Sequence, residues 1–157
     1  MDLWPEPFPI HHLNPTVRLK SAKKWKSWFH ALKHAAYCYE IWERVDPALP
    51  EQDSDVLTRP PPLDLDELFA FVKEYSAKGF TMGDAIAFRG HRRKDDLYTY
   101  RELSNREDAM RAWIHESVDM YALTAAYDAV RSETGGGTVT LRRLVKHLKK
   151  RFSIWDT

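Results

Sequence analysis

The 157-residue sequence predicts an all-α fold, a compact bundle of about five to six helices. Apolar residues recur at helical spacing in several long stretches, and Gly, Pro, Ser, Thr and Asp punctuation falls between them. Nowhere does apolar and polar alternate for long enough to make a half-buried strand, and Thr138-Val139-Thr140 is too short to count as one. The length fits a single domain, which at this size buries about 68–70% of its unfolded surface. Thirteen per cent aromatic residues suits bulky contacts between helices.

Residues 1–18 carry Pro5, Pro7, Pro9 and Pro15, so an extended arm is expected, with Leu3, Trp4, Phe8 and Ile10 docking on the body. Residues 19–157 then form a single helical domain. Its first helix is predicted over about 22–45. Advancing 100° per residue, Trp25, Trp28, Phe29, Leu32, Ala35, Ala36, Tyr39 and Trp42 fall on one side. Ser21 is a candidate N-cap, and Asp46-Pro47 a stop. Ile41 and Val45 share a second side with His34 and Cys38, which makes the end of this helix apolar on two faces and places Cys38 as a small buried residue.

Residues 46–63 are acidic and proline-rich, too poor in apolar side chains for a packed element, so a long loop and a candidate for disorder is expected there. Asp64 or Asp66 caps a second helix through Leu68, Phe69, Val72 and Tyr75, ended by Gly79. Thr81-Met82-Gly83-Asp84 starts a short third helix, with His91 to Asp96 a polar turn after it. Ser104-Asn105-Arg106-Glu107 matches a capping box that opens the next helix, through Ala109, Met110, Trp113, Ile114, Val118 and Tyr121. That pattern runs on to Val130 as one helix or as two joined near residue 120, and Gly135-Gly136-Gly137 ends it. Thr138 or Thr140 starts the last helix, with Leu141, Leu144, Val145, Leu148 and Phe152 as its apolar stripe.

One string within the first helix is more particular than its amphipathicity. Leu19, Trp25-Lys26-Ser27-Trp28, Leu32, Ala36, Ile41-Trp42 and Val45-Asp46-Pro47 resemble the start of the Gag polyprotein of copia-type LTR retrotransposons, especially fungal ones. Trp113-Ile114 with Ser117-Val118 resembles the central helix of that family, and Leu141, Leu144, Leu148 and Arg151-Phe152 its late helix. Lys20 to Lys24 replace the glycine and asparagine usual before the first tryptophan. The resemblance implies a capsid-type N-terminal lobe that associates with copies of itself in a virus-like particle around RNA. It also implies a second lobe and often a CCHC knuckle; neither appears by Thr157, so a fragment or a shortened, domesticated derivative is expected. The competing reading is an unrelated helical domain with a tryptophan-rich core.

A net charge of +1 gives no global attraction to nucleic acid. Any such binding has to come from local patches. Lys20, Lys23, Lys24 and Lys26 surround the start of the first helix, and Arg142, Arg143, Lys146, Lys149 and Lys150 dominate the last, so these five are the candidate nucleic-acid contacts. A charged helical exterior is also what a solvated face looks like. The lone Cys38 cannot form an internal disulfide, no apolar run approaches a membrane span, and the N-terminus lacks the regions of a signal peptide. A cytoplasmic protein is expected, or a nuclear one if domesticated.

His30, His34 and Cys38 recur every fourth residue and could bring soft ligands to one face, but no CxxC or second cysteine completes a zinc set. Cys38 in a helix interior lacks the setting that makes a thiolate nucleophile, and Asp84, His115 and Glu116 have no spacing that forces convergence. The glycine triplet lacks the GxxxxGK(S/T) pattern of a phosphate loop. No catalytic, cofactor-binding or metal residue is therefore named, and no small-molecule substrate or membrane partner is expected. Self-association comes first as a function, a nucleic-acid-binding helical module second, and a small enzyme last.

Overall fold

A computed structural model describes residues 10–154. Among them lie six α-helices and no strand: α1 (Trp25–Cys38), α2 (Trp42–Val45), α3 (Leu65–Tyr75), α4 (Met82–Ser117), α5 (Met120–Thr134) and α6 (Leu141–Phe152). The fold is all-α, as the spacing of apolar residues predicts. By contacts the described residues fall into two units: one takes in residues 58–102, the other residues 10–57 and 103–154. Helix α4 contributes residues to both.

The second unit holds the main core. Trp25, Trp28, Leu32, Ala35 and Ala36 of α1 are buried with Met110, Trp113 and Ile114 of α4, Ala122, Ala126 and Val130 of α5, and Leu141, Leu144, Val145 and Leu148 of α6. Trp28 is fully buried, and its Nε1 donates to Ser117 Oγ at 2.9 Å, which satisfies the one polar atom of an otherwise apolar side chain. The arm joins this core: Ile10, Leu13 and Val17 pack against it, and Leu13 N donates to the Tyr39 hydroxyl. Leu3, Trp4 and Phe8, also expected to dock, lie outside the described residues. Leu19 N donates to Ser117 O at 2.6 Å and Leu19 O accepts from Asp119 N at 3.0 Å, and the chain divides into α4 and α5 here. Of the two alternatives near residue 120, the structure takes two helices, with the Asp119 side chain accepting from Ala122 N as the N-cap of α5.

The first helix is not continuous over 22–45. A 3-10 turn (Ala22–Lys24) precedes it, Ser21 makes no side-chain cap, and α1 stops at Cys38. Glu40 takes φ 58°, Glu40 N donates to Tyr37 O and Ile41 N to Ala36 O; this is a Schellman ending with glutamate in the left-handed position that glycine usually fills. The turn swings Ile41 and Val45 into the core, both at most 2% exposed, while His34 and Cys38 stay outside. The second apolar face of the helix therefore does not exist, and Cys38 is exposed, not buried. Trp42 belongs to α2 and is only half-buried, stacking on Tyr37 with centroids 5.9 Å apart.

In the first unit Asp64 caps α3 by accepting from Asp66 N, and Gly79 closes it at φ 82° after a 3-10 turn (Ser76–Lys78). Thr81 and Asp84 form the expected reciprocal cap at the start of α4. The third helix is not short, however. It continues through Gly83, Gly90, the charged run from His91 to Asp96, and Ser104, for 36 residues in all. No proline follows Pro62, and arginine and lysine propagate helices well, so nothing in that run stops the chain. The apparent capping box at Ser104 lies inside α4, and its Glu107 serves elsewhere.

Residues 46–57 are ordered by polar contacts instead of apolar ones. A 3-10 turn (Asp53–Asp55) presents the Asp55 carboxylate to Arg142 at 2.8 and 3.1 Å, and Arg44 bridges Glu107 Oε1 and Asp55 O, each at 3.0 Å. Composition alone hides this, because a charged segment folds once a buried partner of opposite sign meets it.

Candidate functional site

Helix α6 starts where Thr140 Oγ1 accepts from Arg143 N, and its apolar stripe seats Leu141, Leu144, Val145, Leu148 and Phe152 in the core. The remaining positions carry the basic residues expected to meet nucleic acid. The structure separates them. Arg142 is 1% exposed: besides Asp55, it donates to Asp46 O at 2.7 Å and Glu43 O at 2.6 Å. Its guanidinium is committed to the interior, so Arg142 is withdrawn from the candidate contacts. Lys149 and Lys150 are exposed at the end of the helix. Arg143 and Lys146 are partly buried and meet carboxylates: Arg143 lies 2.9 Å from Glu51 and 4.0 Å from Glu133, and Lys146 lies 3.8 Å from Glu51.

His147, which the sequence reasoning passed over, completes the group with its Nε2 2.9 Å from Glu133 Oε1. Its position one turn after Arg143 was the available signal. The hydrogen bond from His147, joined by the charges of His147, Arg143 and Lys150, holds the Glu133 carboxyl below the usual carboxylate range against the upward push of desolvation. These six side chains, Glu51, Glu133, Arg143, Lys146, His147 and Lys150, line a hollow of about 170 Å³. Beside it lies a second hollow of about 250 Å³ whose floor is Ala122, Ala125, Ala126 and Ala129 of α5 and whose wall is His147, Lys150 and Arg151. Such a surface can hold anions by charge and hydrogen bonding; it presents no nucleophile beside a base.

The other residues singled out in the sequence are scattered. His34 Nε2 and Cys38 Sγ stand 3.7 Å apart on the exposed side of α1, and among the described residues no three His, Cys, Asp or Glu side chains are grouped to hold a metal ion. Asp84 caps α4, Glu116 pairs with His12 at 3.1 Å, and His115 Nε2 lies 2.7 Å from the Tyr127 hydroxyl. Burial, then the charge of Arg111, pushes His115 down, while burial pushes Tyr127 up. Both are neutral at neutral pH. They border a shallow pit with Met120, Leu123, Thr124 and Arg131. No described helix is long and apolar enough to cross a membrane.

Large apolar side chains remain uncovered in both units. In the first unit Leu65 and Phe69, one turn apart on α3, are 64% and 60% exposed, and Phe80, Ile86 and Phe88 follow at 40–52%. Phe71 gathers part of this surface, with ring centroids 4.8 Å from Tyr75 and 5.9 Å from Phe88. In the second unit Met120 and Tyr121 open α5 at 76% and 83% exposure. No protein-family model, curated protein or solved structure matches the chain.

Proposed function

We propose that the chain is a structural self-association module, a capsid-type domain of a copia-type Gag protein or of a domesticated derivative, whose work is contact between copies of itself in particles around RNA. The observation that carries the reading is the uncovered apolar surface of α3 and the start of α4. Scattered exposed apolar residues are ordinary, but Leu65, Phe69, Phe80, Ile86 and Phe88 all fall within residues 65–88 and are concentrated enough to call for a cover. The Gag resemblance adds support, since Leu19, Trp25, Trp28, Trp113, Ile114, Leu141, Leu144 and Leu148, which carry it, are all core residues of one unit. No reaction is assigned, and the particles would be cytoplasmic, or nuclear in a domesticated form.

Shell subunits gain stability from many small contacts, so the isolated chain should be a monomer or a weak dimer at micromolar concentration. Light scattering across a concentration series tests this. The apparent mass should rise with concentration, and Leu65→Asp with Phe69→Asp should hold the chain monomeric without loss of helicity. A mass that stays monomeric far above micromolar concentration, or that rises equally in the double variant, would remove the reading. A second reading, a nucleic-acid-binding helical module, is favoured by the basic groove along α6 and would make that surface, not α3, the functional one.

A further inference from the structure

We infer that the groove along α6 is a phosphate-binding site for a polyanionic chain such as single-stranded RNA, held closed by two of the protein's own carboxylates. Arg143, Lys146, His147 and Lys150 stand at i, i+3, i+4 and i+7, so they form one face of the helix. Three of them are pre-positioned: the side chains of Arg143, Lys146 and His147 are 27%, 33% and 18% exposed, not free to sweep solvent. Their partners arrive from elsewhere, Glu51 from the segment after α2 and Glu133 from the end of α5, and these are 40% and 49% exposed. Each carboxylate occupies the place a phosphate would take.

The exchange is favourable on general grounds. Ion pairs this exposed contribute little to stability, so giving them up is a small loss. A polyanion releases condensed counterions on each cation it meets, a gain that a lone carboxylate does not provide. The second hollow gives the chain an entry: its wall offers His147, Lys150 and Arg151 over a low alanine floor, and no carboxylate lines it. A phosphodiester backbone seated there reaches Glu51 and Glu133 next and displaces them. No Phe, Tyr or Trp lines either hollow, and the charged groups there match phosphates, so recognition is expected to run through the backbone and to be independent of base identity.

The test is fluorescence anisotropy of the full 157-residue chain with labelled oligouridylate at two salt concentrations, repeated with tripolyphosphate as competitor. The expected result is weak, salt-steep binding by the wild type and at least a severalfold tighter complex for Glu51→Gln with Glu133→Gln. Lys146→Ala with Lys150→Ala should weaken binding and flatten the salt dependence by about 0.7 per lysine removed. All these positions are partly or fully exposed, and circular dichroism checks that each variant is folded. Competition by tripolyphosphate at matched phosphate concentration supports a phosphate site open to compact anions, and its failure to compete supports one that needs an extended chain. Binding unchanged by the glutamine variant, or absent from every form, overturns the inference, and neither result bears on association through α3.

Discussion

Arg142 and Arg143 are adjacent arginines with opposite fates, one inside the protein and one on its edge. At 100° per residue Arg142 lies outside the arc made by Leu141, Val145, Leu148 and Phe152, and Lys149, which lies nearer to that arc, is exposed, so periodicity did not mark Arg142 for burial. Its partner was not legible either, because Asp55 lies 87 positions away in a segment with no apolar signature. Once buried together, the two charges depend on each other, and removing one partner of such a pair typically costs about 3–5 kcal/mol. The Arg142 hydrogen bonds hold the Asp55 carboxyl below its ordinary range, against the upward push of burial, with help from the Gln52 backbone N–H and the charge of Arg44. A carboxyl depressed in the folded state contributes stability that is fully present above its unfolded value, near 3.8, and is lost as pH falls through the lower folded value. Asp55→Asn should therefore melt lower at neutral pH, and its stability should decline less steeply than the wild type's as pH drops below about 4. Parallel acid slopes for the two proteins would show that the pair does not couple folding to pH.

At the scale of elements, starts were easier to find than stops. Asp64, Thr81 and Thr140 all cap helices where side-chain chemistry points, and Gly79 and Gly135 end them at positive φ. The errors were a cap that Ser21 does not make, a false start at Ser104 inside α4, an ending without glycine and an interior that looked like an ending. Helix α1 stops at a Schellman turn built on Glu40, which carries none of the usual signal, and α4 runs through two glycines and a polar stretch that resemble a loop. The Glu40 turn is strained in a way that can be measured. A side chain in the left-handed region costs roughly 1–2 kcal/mol relative to a right-handed one, and glycine avoids that penalty. The Glu40 contact with Arg106, at 3.4 Å and with the glutamate 74% exposed, offsets little of it. Glu40→Gly should consequently stabilise the chain by about 1 kcal/mol, which for this size raises the melting temperature by about 2–4 °C. A lower melting temperature would mean that the Arg106 pair or the added chain entropy outweighs the strain.

The whole molecule is uneven in a way that links its stability to its proposed work. The unit of residues 58–102 buries only Leu68, Ala85 and Leu97 among its described apolar residues, whereas the other unit gathers three tryptophans, Trp25, Trp28 and Trp113, with a long series of aliphatic side chains. The tryptophan stripe announced the larger core, but nothing in the sequence distinguished Phe69 or Phe88, which are exposed, from Trp28, which is not, because periodicity marks a face and not what covers it. Segments with few buried contacts open locally at lower free energy than the global core, and surfaces that bind partners are drawn from that end of the range. Hydrogen exchange on the isolated chain should accordingly show amides of α3 and residues 82–102 exchanging well before those of α1, α5 and α6. If copies associate through α3, raising the protein concentration should slow exchange selectively at residues 65–90 and leave α6 unchanged, while Leu65→Asp with Phe69→Asp should cancel the slowing. Uniform protection across both units, or slowing confined to α6, would place the contact between copies elsewhere and leave the exposed phenylalanines without a part in assembly.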